Sequence, residues 1–535
     1  MFAYMRRGPN FYKEVAALAA PIILQDMITS TLSMADTFMV GLLGEEPMAA
    51  VTLANIPLFV VQLFIFGVQS GSTVLLSQYW GKQDMESINR IYGMALWLVM
   101  AVSSLCSVIL LICPVEFLSL FGNDRAVVEL AAQYGRLAGL SYVFNAFSMT
   151  YIAAFRSMEH PQLGMYILAT SMAVNTFLNW VFIFGNLGAP ALGVQGAALA
   201  TLIARVLEVV IVACHMARNR IFRVRWRLVL RPGKRLARQF LMCSGPVVLN
   251  ETLWGLGTSM YPTVMGHMAG STEILAAYTL AGNVEKICKV VSMGLASTAA
   301  IIIGREIGAG HKDRVYGVGL ALNTLAAVGG AALGLALWLV LVFLAPTYVF
   351  PLFKLSAGAA AAATMMITLQ AVIMPLKDFN SVNIVGVLRG GGDVRATTLI
   401  DILPLWLVAV PMAAICGLVL KTGIFWVYLS LGVEQFCKCV GGVWRLRSGK
   451  WIRDLTRSGA LEYGGTGHES CRINGKYCPG GMRSGAGARP VPVYRISGEE
   501  AAAGWGRLRT VCRQRPEAWG GPGGCGPGGA VPRPL

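Results

Sequence analysis

The sequence predicts an all-α integral membrane protein, with twelve transmembrane helices forming two homologous six-helix bundles around a central cleft. Three observations predict it. Hydrophobic residues make up 55% of the 535-residue chain and charged residues 13%, and mean hydropathy is +0.60, far from the balance of a water-soluble domain. Lys and Arg collect on alternate loops, the pattern of helices that cross a bilayer back and forth. The first half of the apolar region also recurs in the second.

At roughly 20 apolar residues per crossing, the spans fall near 14–41, 49–79, 91–113, 127–155, 161–186 and 191–216, then 240–266, 273–303, 317–344, 358–388, 396–420 and 423–444. The first is expected to be retained. "MFAYMRRGPNFYKE" leads directly into an apolar run too long for a signal h-region and lacks a small-residue cleavage site. Arg6, Arg7 and Lys13 precede span 1, Lys82 and Arg90 follow span 2, and Arg156 follows span 4. After span 6 comes "RNRIFRVRWRLVLRPGKRLAR". Arg305, Lys312 and Arg314, then Arg389 and Arg395, and finally "WRLRSGKWIR" fall on the same side. The opposite loops, such as "GEEP" and "NLGAPALG", carry almost none. The positive-inside rule therefore puts both termini in the cytoplasm of a multi-pass plasma-membrane protein. A net charge of +17 distributed in this way marks topology and lipid contact, not a nucleic-acid partner.

The repeat sets "APIILQDMITSTLSMADTFMVGLLG" (20–44) against "GPVVLNETLWGLGTSMYPTVMGHMAG" (245–270), matching Pro21 with Pro246, Gln25 with Asn250, Asp26 with Glu251 and Gly41 with Gly266. "FRSMEHPQ" (155–162) likewise parallels "LRGGGDVR" (388–395). Six spans per half make the repeats parallel, and paired bundles of this kind enclose a cavity with ligand sites near the midplane. The division is 1–216 for the first lobe, 217–239 for a basic cytoplasmic linker that reads as a lipid-facing loop, and 240–456 for the second lobe. From 457 to 535 Gly, Pro and Arg replace periodic apolar residues. That tail reads as disordered, and its bias resembles translation in a shifted frame.

An enzyme is not expected. No H-E-x-x-H, G-x-S-x-G or P-loop occurs, and His160, His215, His267, His311 and His468 are isolated. The twelve cysteines show neither a pairing pattern nor metal-ligand spacing. No cofactor is expected beyond a coupling Na⁺ or H⁺.

Asp36 stands out as a carboxylate in an apolar span, a placement that costs about 2.5 to 3.5 kcal/mol on insertion scales and is therefore functional by default. "MADTFMVGLLG" around it, "LLSQYWGKQD" after span 2, "NTFLNWVFIFGNLGAPALGVQGAALAT" across spans 5 and 6, and "GVLRGGGD" after span 10 together resemble the multidrug and toxic compound extrusion (MATE) family, in its NorM-like and DinF-like bacterial branch. The resemblance covers residues 10 to about 450. It implies a cation-coupled antiporter that exports amphipathic, often cationic drugs by alternating access. The alternative is a lipid-linked oligosaccharide or precursor flippase of the same broad superfamily, which calls for a strongly basic cavity.

The resemblance also implies a polar cluster of Asp36 with Asn175, Asn179 and Thr201. Residues 175 and 179 share a helix face, and neutral amides can donate to a carboxylate. It places Glu251 and Asp378 near acidic cation ligands of Na⁺-coupled members, so a metal, if any, is Na⁺ at Glu251, Asp378 or Asp36. Hard cations want several oxygens, and Asn250, Asn380 and Asn383 are close in sequence to these acids. Lys377 beside Asp378 is a candidate neutraliser, and Glu285 with Lys289 and Arg205 with Glu208 read as internal salt bridges. Met27, Met34, Phe38, Phe64 and Trp254 are candidate cavity residues, because Met surfaces adapt to varied ligands and aromatic faces attract organic cations. The expected partners are small amphipathic molecules and membrane lipids, bound by a monomer.

Overall fold

The computed structural model describes residues 8–122, 124–231, 233–344 and 356–457, apart from the side chains of Ser33 and Glu45. The tail expected from residue 457 lies, beyond that residue, outside the described part. Twelve long helices account for the twelve expected spans: α1 (Pro9–Gly41), α2 (Glu45–Gly81), α3 (Met85–Ile112), α4 (Arg125–Ser157), α5 (Gln162–Phe184), α6 (Val194–Arg218), α7 (Lys234–Gly266), α8 (Ser271–Gly308), α9 (Lys312–Phe343), α10 (Ala357–Leu388), α11 (Val394–Val419) and α12 (Ile424–Arg447). Ten are long and apolar enough to cross a membrane by length and composition alone. The remaining two, α7 and α12, carry Glu251 and the pair Glu434 and Lys438 within their runs, and their charges turn out to be paired inside the protein.

Proline shapes several helices. Pro21, Pro57, Pro246, Pro262 and Pro375 lie inside α1, α2, α7 and α10. Each removes one backbone hydrogen bond, a loss that neighbouring helices can compensate in a membrane protein. Beyond Pro375, α10 continues through a π-helical stretch, Ser381–Leu388, and the extra residue per turn re-aims the side chains that follow. Arg389 comes directly after it.

The first six helices surround one apolar cluster that includes Ile65, Tyr92, Tyr151 and Phe155. The second six hold another around Tyr261, Ile274, Leu405 and Tyr428. A third cluster, with Ile302, Val315, Val387 and Trp451, also takes in Val15 and Leu18 from the start of α1. The two bundles therefore share apolar packing at the end of the molecule that carries the described termini.

Glycine allows the backbones of the bundles to approach there, as small residues do in membrane interfaces. A β-carbon on Gly304 would overlap Ser77, and one on Gly308 would overlap the Gln78 carbonyl. The segment after α12 adds polar ties across the same junction. Gln78 Nε2 donates to the Arg453 carbonyl at 3.0 Å, and Leu455 N donates to Gln78 Oε1 at 2.9 Å. Trp451 is fully buried beside them.

The basic linker keeps its arginines exposed and is also docked on the first bundle. Phe222 is 1% exposed and packs edge-on against Tyr92 and Phe155, while Arg225 N donates to Asn89 Oδ1 at 2.8 Å. Val229 is buried, and its backbone closes on Gly93 of α3. The apolar residues that alternate with the arginines dock the linker on the first bundle, a pattern that a charge count alone does not reveal.

Candidate functional site

α1, α5 and α6 bring together the four residues of the expected polar cluster. Asn179 Nδ2 donates to Asp36 Oδ1 at 2.6 Å and lies 3.2 Å from Asn175 Oδ1, while Asn175 Nδ2 donates to Thr201 Oγ1 at 3.3 Å. Both amides are buried, and Asp36 and Thr201 are half-buried. Asn179 Oδ1 is buried without a hydrogen-bond partner. The cluster therefore offers a carboxylate, amide oxygens and a hydroxyl, the donor types that a hard monovalent cation takes. Arg205 does not compete for the carboxylate as a hydrogen-bond donor. Its Nη1 reaches both carboxylate oxygens of Glu208, at 2.8 and 3.1 Å, as the sequence spacing suggests.

The second bundle holds a cavity of about 340 Å³, walled by α7, α8, α10, α11 and α12, with Leu63 and Phe66 of α2 closing one side. Five carboxylates line it, those of Glu251, Glu285, Asp378, Asp401 and Glu434, against the ammonium groups of Lys289, Lys377 and Lys438. Lys438 lies 2.7 Å from both Asp401 and Glu434. Tyr261 Oη donates to Glu434 at 3.2 Å, and Asn250 Nδ2 donates to Asp401 at 2.9 Å. Glu251 is taken by Arg389, whose Nη1 lies 3.2 Å from Oε1. Buried charges of this kind need partners, because an uncompensated buried ion costs on the order of several kcal/mol.

Several sequence expectations change here. Glu285 pairs with Lys377 at 2.8 Å and accepts a hydrogen bond from Gln370 at 3.1 Å, so the expected partner Lys289 is displaced. Lys289 Nζ sits instead 4.0 Å from the centroid of the Trp254 ring, a cation–π arrangement. Lys377 makes its ion pair with Glu285 and not with Asp378, which lines the cavity within electrostatic reach of Lys377. Asn380 donates to Gln435 and Asn383 accepts from Asn323, so neither amide serves the acids near it in sequence. The i and i+4 rule anticipates a pair within one helix, whereas a closer ammonium on another helix, Lys377, is visible only in three dimensions.

Of the five candidate cavity residues, Trp254 lines the charged cavity. Phe64 packs against the apolar core of the first bundle. Met27, Met34 and Phe38 are 46%, 59% and 69% exposed and lie outside that cavity. Phe66, Met293 and Met374 take the lining role. Sequence reasoning missed Asp401, Glu434 and Lys438. The available signal was the one that singled out Asp36, an ionisable side chain inside an apolar run.

A family model described as MatE matches residues 21–181 and 247–415. "Uncharacterized transporter YisQ" of Bacillus subtilis is 23% identical over 440 residues, 82% of this chain and 94% of its own. A "Probable multidrug resistance protein NorM" of Bradyrhizobium diazoefficiens is 27% identical over 446 residues, 79% of this chain and 91% of its own. Among solved structures, the outward-facing conformation of a multidrug resistance MATE family transporter of the MOP superfamily shares the fold. It superposes with a TM-score of 0.73 at 21% identity, covering 84% of this chain and 98% of the other.

Proposed function

The chain belongs to the MatE (MATE) family of membrane transporters, and on that premise we propose that it is a cation-coupled antiporter exporting amphipathic, cationic small molecules. The observation that carries this reading is the hydrogen-bonded set of Asp36, Asn179, Asn175 and Thr201. Asp36 is held by the neutral amide of Asn179 and, among the described residues, has no cation within hydrogen-bond reach, Arg205 acting on it only from a distance, so Na⁺ or a proton restores its charge balance. The unpartnered Asn179 Oδ1 supplies a further oxygen. Asp378, which makes no ion pair within 4 Å among the described residues, is the second acid available to a cation. Glu251, already paired with Arg389, is the less available.

The cavity of the second bundle supports a cationic cargo. Its carboxylates outnumber its ammonium groups, so a positively charged substrate meets a complementary field and Trp254 offers an aromatic face. A flippase for a pyrophosphate-linked lipid would need the reverse balance. The glycine contacts at the basic end support the outward-open half of an alternating-access cycle, in which export requires the bundles to part there and close at the far end.

The test is ethidium efflux from proteoliposomes under separately imposed Na⁺ and proton gradients. Efflux driven by one gradient and abolished by its collapse is expected. Equal efflux with no cation gradient would overturn the coupling. We further assign both termini and the 217–239 linker to the cytoplasm of a plasma-membrane monomer, from the Lys and Arg asymmetry. A cysteine at Arg220, introduced in a chain freed of other reactive cysteines, should label with an impermeant maleimide only after the cells are opened. Labelling of intact cells at the same rate would reverse the topology.

A further inference from the structure

We propose that a small cavity between the two bundles, flanked by Arg156 and Arg389, binds a small monovalent anion of the chloride type that pins the bundles together at their basic end. Arg156 closes α4 and Arg389 follows α10, and they occupy matching places in the repeated "FRS" and "LRG" segments. The cavity is about 40 Å³ and is lined from both bundles, by Gln69, Ser70, Thr73 and Arg156 on one side and Ser297 and Arg389 on the other. Among the described lining residues there is no carboxylate.

Its donors are in surplus. Arg389 is 1% exposed and spends only Nη1, on Ser70 at 3.0 Å and Glu251 at 3.2 Å. Its Nε and Nη2 are buried without a partner, as is Gln69 Nε2. Buried polar groups are nearly always satisfied, so each exception calls for an explanation, and a guanidinium offers five N–H donors and no acceptor. Arg156 forms no ion pair within 4 Å among the described residues; the acid within electrostatic reach is Asp26. A site with unspent donors in surplus and two guanidinium groups, with room for about one or two water-sized bodies, fits a halide better than water, which must also donate. Two guanidinium groups disfavour a metal cation, and a cavity of about 40 Å³ disfavours an organic anion as large as gluconate.

The position explains the consequence. An anion shared by Arg156 of the first bundle and Arg389 of the second lies across the junction that must open during the cycle, so its binding favours the closed junction. This inference concerns binding and stands whether or not the coupling reading above is correct.

The test is thermal unfolding of the purified full chain in sodium chloride, sodium bromide or sodium gluconate at matched ionic strength. The halides should raise the midpoint by several degrees over gluconate. The shift should vanish in Gln69→Met, which removes a donor without breaking any hydrogen bond made by that Nε2, and in Arg156→Gln, while Arg389 keeps its link to Glu251 in both. Equal midpoints in halide and gluconate would overturn the proposal and leave the cavity to water. A halide shift that persists unchanged in both variants would overturn it too, by locating the anion elsewhere.

Discussion

Asp36→Asn is expected to reach the membrane at the wild-type level and to lose gradient-driven efflux down to the background of cells lacking the transporter. The substitution keeps the size of the side chain and can still meet Asn179, which donates to Asp36 at 2.6 Å in the native cluster, so the helix contact survives. The titratable charge does not. Interhelical hydrogen bonds in membrane proteins are worth only about 0.6 kcal/mol on average, too little for their rearrangement to remove the protein from the membrane. Efflux and surface level should be measured on the same cells. Wild-type transport with unchanged cation dependence would make Asp36 a structural contact and move the coupling site to the second bundle, with Asp378 the first residue to examine.

Lys438→Met is expected to act on stability. Lys438 is 4% exposed at its side chain and bridges Asp401 and Glu434, each at 2.7 Å. Removing the bridging cation leaves two carboxylates without their ion pair, and breaking a buried pair in this way costs about 3–5 kcal/mol. The unfolding midpoint followed by size-exclusion chromatography should fall sharply, with much of the protein lost during extraction. The triple variant Lys438→Met, Asp401→Asn, Glu434→Gln should recover most of the loss, because replacing a whole buried charge set by neutral groups is often close to neutral. A single variant as stable as the wild type would mean that water or another cation reaches the two acids.

The two bundles differ in how much of their chemistry the sequence makes visible. In the first, Asp36 shares its span with one other mid-span acid, Asp26, and the resemblance to the family, with two asparagines one turn apart on α5, named its partners from the sequence. In the second, acids and bases are dense enough that several pairings are possible. Spacing along one helix favoured Glu285 with Lys289, and the fold chose Lys377 from α10. The linker shows the same difference. Its arginines are countable, but the burial of Phe222 and Val229 depends on the surface that α3 and α4 offer them.

By itself, the sequence determined that the chain lives in a membrane, that twelve helices cross it and that the halves repeat. Solvent partition and covalent order depend on composition and periodicity, which are local quantities readable one residue at a time. It also determined that Asp36 needs an explanation, since a charge in an apolar run is costly wherever the helix goes. Tertiary structure alone decided which charges neutralise which, that Glu251 is held by Arg389, and that Arg156 and Arg389 face a common space between the bundles. Those outcomes turn on distances of a few ångströms between residues hundreds of positions apart, and electrostatic energy in a low dielectric changes steeply over that range.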